Sequence, residues 1–106
     1  MKEIKAFIRP DKLNKVAQNL KENKFCCFTV FEGEGVGNYA DPEKEYPSLK
    51  FPYLHAKVVK LEIVCKKENV DNILTVIRTF AHTGESGDGI IYVMDVEQKI
   101  KIKHSL

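Results

Sequence analysis

Residues 83–89, Thr-Gly-Glu-Ser-Gly-Asp-Gly, form the segment of this sequence best suited to holding a small ligand. Three of these seven residues are glycine, which frees the backbone for positive φ angles and lets its amides approach a ligand closely. The segment lacks the Gly-Lys-Ser/Thr ending of a phosphate-binding P-loop. A tight turn explains one glycine, whereas three glycines around an acidic residue indicate a binding turn.

A second candidate is the long segment at residues 36–55, which has neither a helical nor a strand period and contains three prolines. Long irregular loops in compact domains are usually functional or disordered. Aromatic side chains on an exposed loop are typical anchors for a protein partner. We therefore expect a mobile loop that becomes ordered on a partner, while a loop packed on its own domain stays open as the alternative. The candidate anchors are Tyr39, Tyr46, Phe51 and Tyr53.

Composition excludes several classes of protein. The 106 residues suit a single domain, 1–106, and 17 basic against 15 acidic residues are too balanced for nucleic-acid binding. No signal peptide and no apolar run of the ~20 residues of a membrane span are recognisable, so no membrane insertion and a cytoplasmic location are expected. We expect the three cysteines to be buried reduced thiols rather than a disulfide or a metal site.

Hydrophobic periodicity predicts the elements that position these segments. Apolar residues recur with helical spacing twice, from Leu13 to Leu20 and from Val70 to Ala81. Runs rich in β-branched and aromatic residues predict strands, and a short alternating run near the end predicts one more. The predicted strands are residues 4–9, 25–31, 58–65, 90–94 and 100–103.

The order of these elements is βαββαβ plus a short C-terminal strand, which is the split βαβ pattern of an α+β ferredoxin-like sandwich. Two helices can cover only one face of a four-stranded sheet. The other face is expected to carry apolar side chains such as Phe7 or Ile8 and Val64 or Cys65. An apolar face of that size favours association with further copies.

Taken together, these segments resemble the PII signal-transduction proteins, the nitrogen regulatory protein P-II family. The glycine run continues into Ile91-Tyr92-Val93 and is similar to the family's C-terminal signature. Residues 1–13, Thr29-Val30 with the following Gly35-x-Gly37, and residues 60–64 also resemble family segments, so the resemblance covers essentially the whole chain. It implies a homotrimer with an adenine nucleotide (ATP, ADP or AMP) in clefts between subunits. It also implies a protruding loop that contacts a regulated enzyme or transporter.

Carried over by position, the resemblance implies the residues of the nucleotide site. Backbone groups of Val64 would meet the adenine, and the glycine turn would approach the ribose and the phosphates. The implied set is Thr29, Gly35, Gly37, Glu62, Val64, Gly87, Asp88, Gly89, Lys101 and Lys103.

Several positions depart from the family pattern. Ile90 replaces the lysine that usually follows Gly-Asp-Gly, and Asn38 and Tyr39 replace an arginine and a glutamine. Lys101 and Lys103 replace two arginines, so a point charge stands where the family has a bidentate fork. We therefore expect the terminal phosphates to contribute little affinity. The missing glutamine argues against Mg²⁺ and 2-oxoglutarate as effectors and places the chain on a divergent PII-like branch.

The sequence bears on two other functional classes. A metal-responsive trimer resembling the divalent-ion tolerance family shares the fold and stays the alternative. An enzyme is not expected, because the sequence offers no pair of nucleophile and base, and Arg9 alone does not support acylphosphatase chemistry.

Overall fold

The computed structural model describes residues 1–104 as four strands, two α-helices and four short 3-10 turns. Each predicted helix is present, and the first four predicted strands are present with shifted ends. The elements are β1 (Lys2–Ile8), α1 (Leu13–Glu22), β2 (Phe28–Gly35), β3 (Ala56–Cys65), α2 (Val70–Ala81) and β4 (Gly89–Asp95).

The four strands form one antiparallel sheet in the order β2-β3-β1-β4. Strands β1 and β3 lie in the centre, and β2 and β4 are the edges. Both helices follow a strand and return the chain to the same face of the sheet, as the split βαβ pattern requires. This α+β architecture is consistent with the predicted ferredoxin-like fold.

The hydrophobic core lies between the helices and one face of the sheet. Alternate residues of the central strands point into it, because successive side chains of a strand face opposite ways. The helices contribute the apolar stripes that the periodicity predicted. The buried core residues are Ile4, Ala6, Ile8, Val16, Leu20, Val59, Leu61, Ile63, Cys65, Ile73, Val76, Ile77 and Ala81.

The opposite face, called the open face below, is not covered by helices. The strand register places Phe7 rather than Ile8 on it, and Val64 rather than Cys65. Phe31, Tyr92 and Met94 also belong to this face and are exposed in the single chain. Apolar side chains of this size are typical of a surface that meets another copy.

The predicted C-terminal strand at residues 100–103 is wrong. Ile102–His104 forms a 3-10 turn instead, and the side chains of Ile100 and Ile102 are exposed. The Ile-Lys alternation has the period of a half-buried strand, but a strand also needs a neighbouring edge and a surface on which to bury its apolar side. In the described chain this segment pairs with neither edge strand, and its isoleucine side chains are not buried.

The expectation of three reduced, buried cysteines is wrong at two positions. Cys26 and Cys27 are exposed and joined to each other by a disulfide. They lie before β2, which begins at Phe28 rather than at the predicted residue 25. Cys65 is buried and free, as expected, and burial raises the pKa of its thiol.

Two leucines provide a matched test of this core. Leu61 is 0% exposed in the centre of β3, whereas Leu49 is 105% exposed in the loop. We expect Leu61→Ala to lower the free energy of unfolding by about 2–5 kcal/mol, because it leaves a cavity. Leu49→Ala should change it by less than about 0.5 kcal/mol. Urea denaturation measures both, and equal losses would contradict this description of the core.

Candidate functional site: the glycine turn and the loop base

The carboxylate of Asp88 organises the glycine turn between α2 and β4. It accepts hydrogen bonds from the Thr83 amide at 2.9 Å, from the Gly84 amide at 3.0 Å and from the Thr83 hydroxyl. Arg9 Nε donates to the same carboxylate at 3.1 Å. Burial alone raises the pKa of Asp88, but these four donors outweigh it and hold that pKa well below its usual range. The carboxylate is therefore ionised, and the turn is wrapped around it.

Arg9 connects three separate segments of the chain. Besides Asp88, its guanidinium donates to the carboxylate of Asp41 at the base of the loop and to the Ser86 carbonyl at 2.8 Å. Its side chain is only 11% exposed. Burial lowers the pKa of Arg9, but the bond to Asp88 and the charge of Asp41 more than offset this and raise it. We call Arg9, Asp41 and Asp88 the ionic clamp.

Two glycines of the turn are required by close packing. A Cβ on Gly87, whose φ is +86°, would lie 2.5 Å from the Ala40 carbonyl oxygen. A Cβ on Gly89 would lie 1.8 Å from the Phe7 carbonyl oxygen. The turn therefore rests directly on the loop base on one side and on the end of β1 on the other.

The structure brings part of the predicted nucleotide site together. Gly35 ends β2 beside the buried Ala40, and Gly37 follows with φ +117°, so both lie near the glycine turn at one end of the sheet. Thr29 and Glu62 are direct neighbours across β2 and β3 on the open face. Glu62 pairs there with Lys60 at 3.2 Å and with Lys5 at 3.7 Å.

Val64 lies beside the pair of Thr29 and Glu62 on the open face but far from the glycine turn. It is five residues along β3 from Val59, which adjoins Ile8 and its partner Gly89, and this spacing amounts to about 17 Å at ~3.3–3.4 Å per residue. Lys101 and Lys103 are exposed and lie beyond β4, outside the sheet. One chain therefore does not gather all of the predicted site residues in one place.

The loop has more fixed structure than its sequence predicted. Asp41 caps a 3-10 turn at Pro42–Lys44 by accepting from the Glu43 amide. Tyr46 and His55 then form an antiparallel bridge through two backbone hydrogen bonds of 2.8 and 3.2 Å. The segment without a helical or strand period thus holds a capped 3-10 turn and a backbone bridge.

A buried histidine closes the outer part of the loop, residues 46–55, which is called the outer loop below. His55 is 1% exposed and lies between the rings of Tyr46 and Phe51, with centroids 4.5 and 4.8 Å away. Its Nδ1 lies 2.6 Å from the Tyr53 carbonyl, which can only accept, so Nδ1 carries a proton. Glu34 of β2 lies 3.8 Å from Nε2 and accepts the Tyr46 hydroxyl at 2.9 Å.

This packing redistributes the predicted partner anchors. Tyr39 packs edge-to-face on Phe7, with ring centroids 5.9 Å apart, and Tyr46 and Phe51 contact His55. Of the four predicted anchors, Tyr53 has the most accessible side chain. Leu49 and Leu54, which the sequence did not single out, are also exposed, and Tyr46 is partly exposed despite its contact with His55.

A separate cavity of about 320 Å³ lies between α2 and β4 on the helical side of the sheet. Its lining is mostly apolar, and only Asp88 and Gly89 of the predicted site residues contribute to it. The predicted nucleotide residues on the open face do not line it. Across residues 1–104, no three histidine, cysteine or acidic side chains are grouped as metal ligands. Over the same residues, no helix is long and apolar enough to cross a bilayer.

Sequence reasoning missed the residues that tie this site together. The sequence predictions gave Arg9, Asp41 and Glu34 no role in this site. A signal for Arg9 was available in hindsight, because an arginine that ends a predicted strand next to an acidic glycine turn needs a carboxylate partner. Asp41 carried no such signal, since its contact with Arg9 depends on the path of the loop.

Two glycines of the turn provide a test of its contact with the loop. Gly84 and Gly87 have nearly equal φ angles of +87° and +86°, but a Cβ on Gly84 meets nothing nearer than 3.7 Å. Alanine at either position should cost about 1–2 kcal/mol for the left-handed backbone. Gly87→Ala should also displace Ala40 and speed exchange of its amide, which now donates to the Gly37 carbonyl at 3.2 Å. Equal exchange of the Ala40 amide in both variants would contradict the contact.

Comparison with known proteins agrees with the resemblance found in the sequence. The family model described as nitrogen regulatory protein P-II matches residues 1–105. The nitrogen regulatory protein P-II of Rhizobium meliloti (strain 1021) is 36% identical over 97% of this chain and 92% of its own length. Those of Porphyra purpurea and Pasteurella multocida (strain Pm70) are 36% and 37% identical over the same shares.

These matches run through the glycine turn, the loop and every element of the sheet. Members of this family are signalling regulators that act on partner proteins. The chain belongs to the nitrogen regulatory protein P-II family.

Proposed function

We propose that this protein is a homotrimeric, cytoplasmic sensor that binds an adenine nucleotide between subunits and regulates a partner enzyme or transporter through its loop. The observation that carries the proposal is the ionic clamp. It joins the glycine turn, the segment best suited to a ligand, to the base of the loop, the segment best suited to a partner. A ligand at the turn is therefore placed to change the loop.

The open face supports the trimer. Phe31, Ile90, Tyr92 and Met94 are large apolar residues that remain exposed on one chain. Apolar contact area of this kind is stabilised by burial against other copies. Assembly would also bring Lys101 and Lys103 of a neighbouring copy toward a cleft that one chain leaves incomplete. Multi-angle light scattering should then give three times the mass of one chain.

The nucleotide would lie between two copies in this proposal. The adenine would meet backbone groups at Val64 of one copy, with Thr29 and Glu62 beside it on the open face. Because Val64 lies about 17 Å from the glycine turn of its own chain, at ~3.3–3.4 Å per residue, the ribose and phosphates would meet the glycine turn, Gly35 and Gly37 of the neighbouring copy. Backbone amides and positive-φ glycines suit an anion, although Asp88 inside the turn opposes one. Recognition would thus depend more on the nucleoside than on the phosphates.

The clamp supplies a mechanism of coupling. A phosphate that reaches Arg9 would compete with the two carboxylates that its guanidinium already holds. Asp88 keeps three other donors, whereas the Asp41 carboxylate keeps only the Glu43 amide at 3.0 Å among its described hydrogen bonds. Asp41 would therefore be released first, and the loop base would move with it. Because Arg9 must exchange one anion for another, the phosphate gains little net free energy.

The outer loop supplies a preformed partner surface in this proposal. The bridge between Tyr46 and His55 holds Leu49, Tyr53 and Leu54 exposed at its end. Apolar side chains on an ordered segment bind a partner at a lower entropic cost than a disordered loop. No observation favours the metal-responsive alternative over this function.

Calorimetry with ATP, ADP and AMP tests the nucleotide site. We expect all three to bind the trimer, with ATP favoured over AMP by less than about tenfold, or ~1.4 kcal/mol. Ile90→Lys should raise that preference, because a charge-assisted contact is worth about 1.5–3 kcal/mol. Ile90→Met is the matched control and should not. A monomer by light scattering, no binding of any adenine nucleotide, or ATP a hundredfold tighter than AMP would contradict the proposal.

A second variant tests the coupling. Asp41→Asn frees Arg9 from one carboxylate, so we expect the preference for ATP over AMP to rise about tenfold or more, by one charge-assisted contact. Amides of the loop, including those of Tyr46 and His55, should exchange faster in this variant because the base is no longer held. Glu43→Gln removes a nearby exposed charge outside the clamp and should change neither quantity. An unchanged preference in Asp41→Asn would show that Arg9 does not meet the phosphates.

A further inference from the structure

Cys26 and Cys27 are neighbours in the chain, exposed, and joined to each other by a disulfide. The third cysteine, Cys65, is buried in the core and remains a free thiol. Burial raises the pKa of that thiol, so it is the least reactive of the three. The exposed pair is therefore the part of the described chain open to thiol chemistry.

The disulfide does not serve as a stabilising cross-link. A disulfide stabilises a fold chiefly by closing a long chain segment and so restricting the unfolded state. The link between Cys26 and Cys27 encloses no intervening residue, so the loop entropy that it removes is minimal. Its effect must be local, on the backbone of the two residues themselves.

That backbone lies between two anchored positions. Phe25 and Phe28 both pack against the core, and the Phe25 amide donates to the Leu20 carbonyl at 2.9 Å. Any change in the bonding of the pair is thus confined to the two residues before β2. Because both neighbouring residues are fixed, the backbone on either side of the pair cannot shift to accommodate such a change.

The disulfide also lies at the end of the sheet where β2 is two residues shorter than its neighbour β3. Strand β2 begins at Phe28 opposite Ile63, although β3 continues to Cys65 and pairs with β1 along that whole length. Continuing the same register would place Cys27 opposite Val64 and Cys26 opposite Cys65. Because alternate residues of an antiparallel strand direct their amide groups to opposite sides, one of Val64 and Cys65 turns its groups to this uncovered edge.

We propose that Cys26 and Cys27 form a reversible thiol–disulfide exchange site whose reduction lets β2 extend by two residues over the end of β3. In the oxidising direction, the thiolate of one cysteine attacks a low-molecular-weight disulfide of the glutathione type and releases one thiol. The second cysteine then attacks the mixed disulfide and releases the other thiol. Two protein thiols are oxidised, and one small disulfide is reduced to two thiols.

The site has a consequence for ligand binding that rests on the proposed function. Val64 is the proposed contact for the adenine, and the extended β2 would cover the edge at Val64 and Cys65. The oxidised form leaves that edge free, so it should bind the nucleotide more tightly. Disulfides inside cells are usually transient and redox-sensing, which suits a linked pair that adds no stability.

The chemistry can be tested without any nucleotide. The full chain is fully reduced, incubated with oxidised glutathione, alkylated under denaturing conditions and analysed as peptides by mass spectrometry. We expect alkylation of Cys26 and Cys27 to be lost together and restored by dithiothreitol, while Cys65 stays alkylated. Retention of both thiols, a stable glutathione adduct, a link from Cys26 to Cys65 or a link between chains would each overturn the proposal.

Hydrogen exchange tests the strand extension. The amide of Val64 or Cys65 that faces β2 should exchange about tenfold more slowly in the reduced protein than in the oxidised one. In the reduced protein this amide would gain a backbone hydrogen bond to the extended β2. The double variant Cys26→Ser, Cys27→Ser should match the reduced protein and ignore oxidised glutathione. Equal exchange in both redox states would overturn the extension.

Calorimetry then separates this inference from the proposed function. With AMP as the probe, the oxidised protein should bind at least about threefold more tightly than the reduced protein. This ratio corresponds to a difference in binding free energy of ~0.65 kcal/mol, which is the penalty that the extended β2 would impose. Equal affinity for AMP in both states would overturn the gating. If neither state binds AMP, the gating fails with the proposed function, whereas the thiol and exchange results above still decide the redox site.

Discussion

The ionic clamp is the interaction on which the arrangement of this molecule depends. Arg9 directly follows β1, Asp88 anchors the glycine turn and Asp41 caps the 3-10 turn at the base of the loop. A partly buried guanidinium between two carboxylates is stable only while its partners stay in place, because an unpaired buried charge is costly. Three segments that are far apart in the sequence therefore hold one another. Gly87 lies close to Ala40 and Gly89 lies close to Phe7, so these three segments leave no space for a side chain at either glycine.

The sheet leaves room on one small chain for both the proposed ligand site and the proposed partner surface. Both helices lie on one face, so the core is complete on that side and independent of what happens on the other. The open face and the ends of the strands stay uncovered in one chain, and the loop leaves from one of those ends. In the proposed function, a change at the glycine turn would reach the loop through the clamp without disturbing the core.

Much of this fold could be predicted from the sequence, because periodicity reports directly which side chains are buried. The two helical stripes and the alternation of Leu61, Ile63 and Cys65 identify the core face of α1, α2 and β3. Periodicity does not predict the structure where the residues that would bury or pair with a segment lie far away in the sequence or are absent. Residues 100–103 alternate like a strand but pair with no strand of the described chain, and β2 starts at Phe28, directly after the bonded pair Cys26 and Cys27. The composition of residues 83–89 indicates a binding turn, but nothing local indicates Asp41. Its ion pair with Arg9 spans 32 residues and leaves no pattern in the sequence.

The loop shows how aromatic residues can mislead such a prediction. Tyr46 and Phe51 have the composition of partner anchors, yet their rings contact His55 and build the loop itself. His55 is the reason: a buried imidazole needs both packing and acceptors, and Tyr46, Phe51, the Tyr53 carbonyl and Glu34 supply them. The exposed apolar residues that result, Leu49, Tyr53 and Leu54, are held by a bridge instead of by a partner. A loop ordered in this way has less to lose on binding, so a signal that reaches it should act by moving a formed surface rather than by creating one.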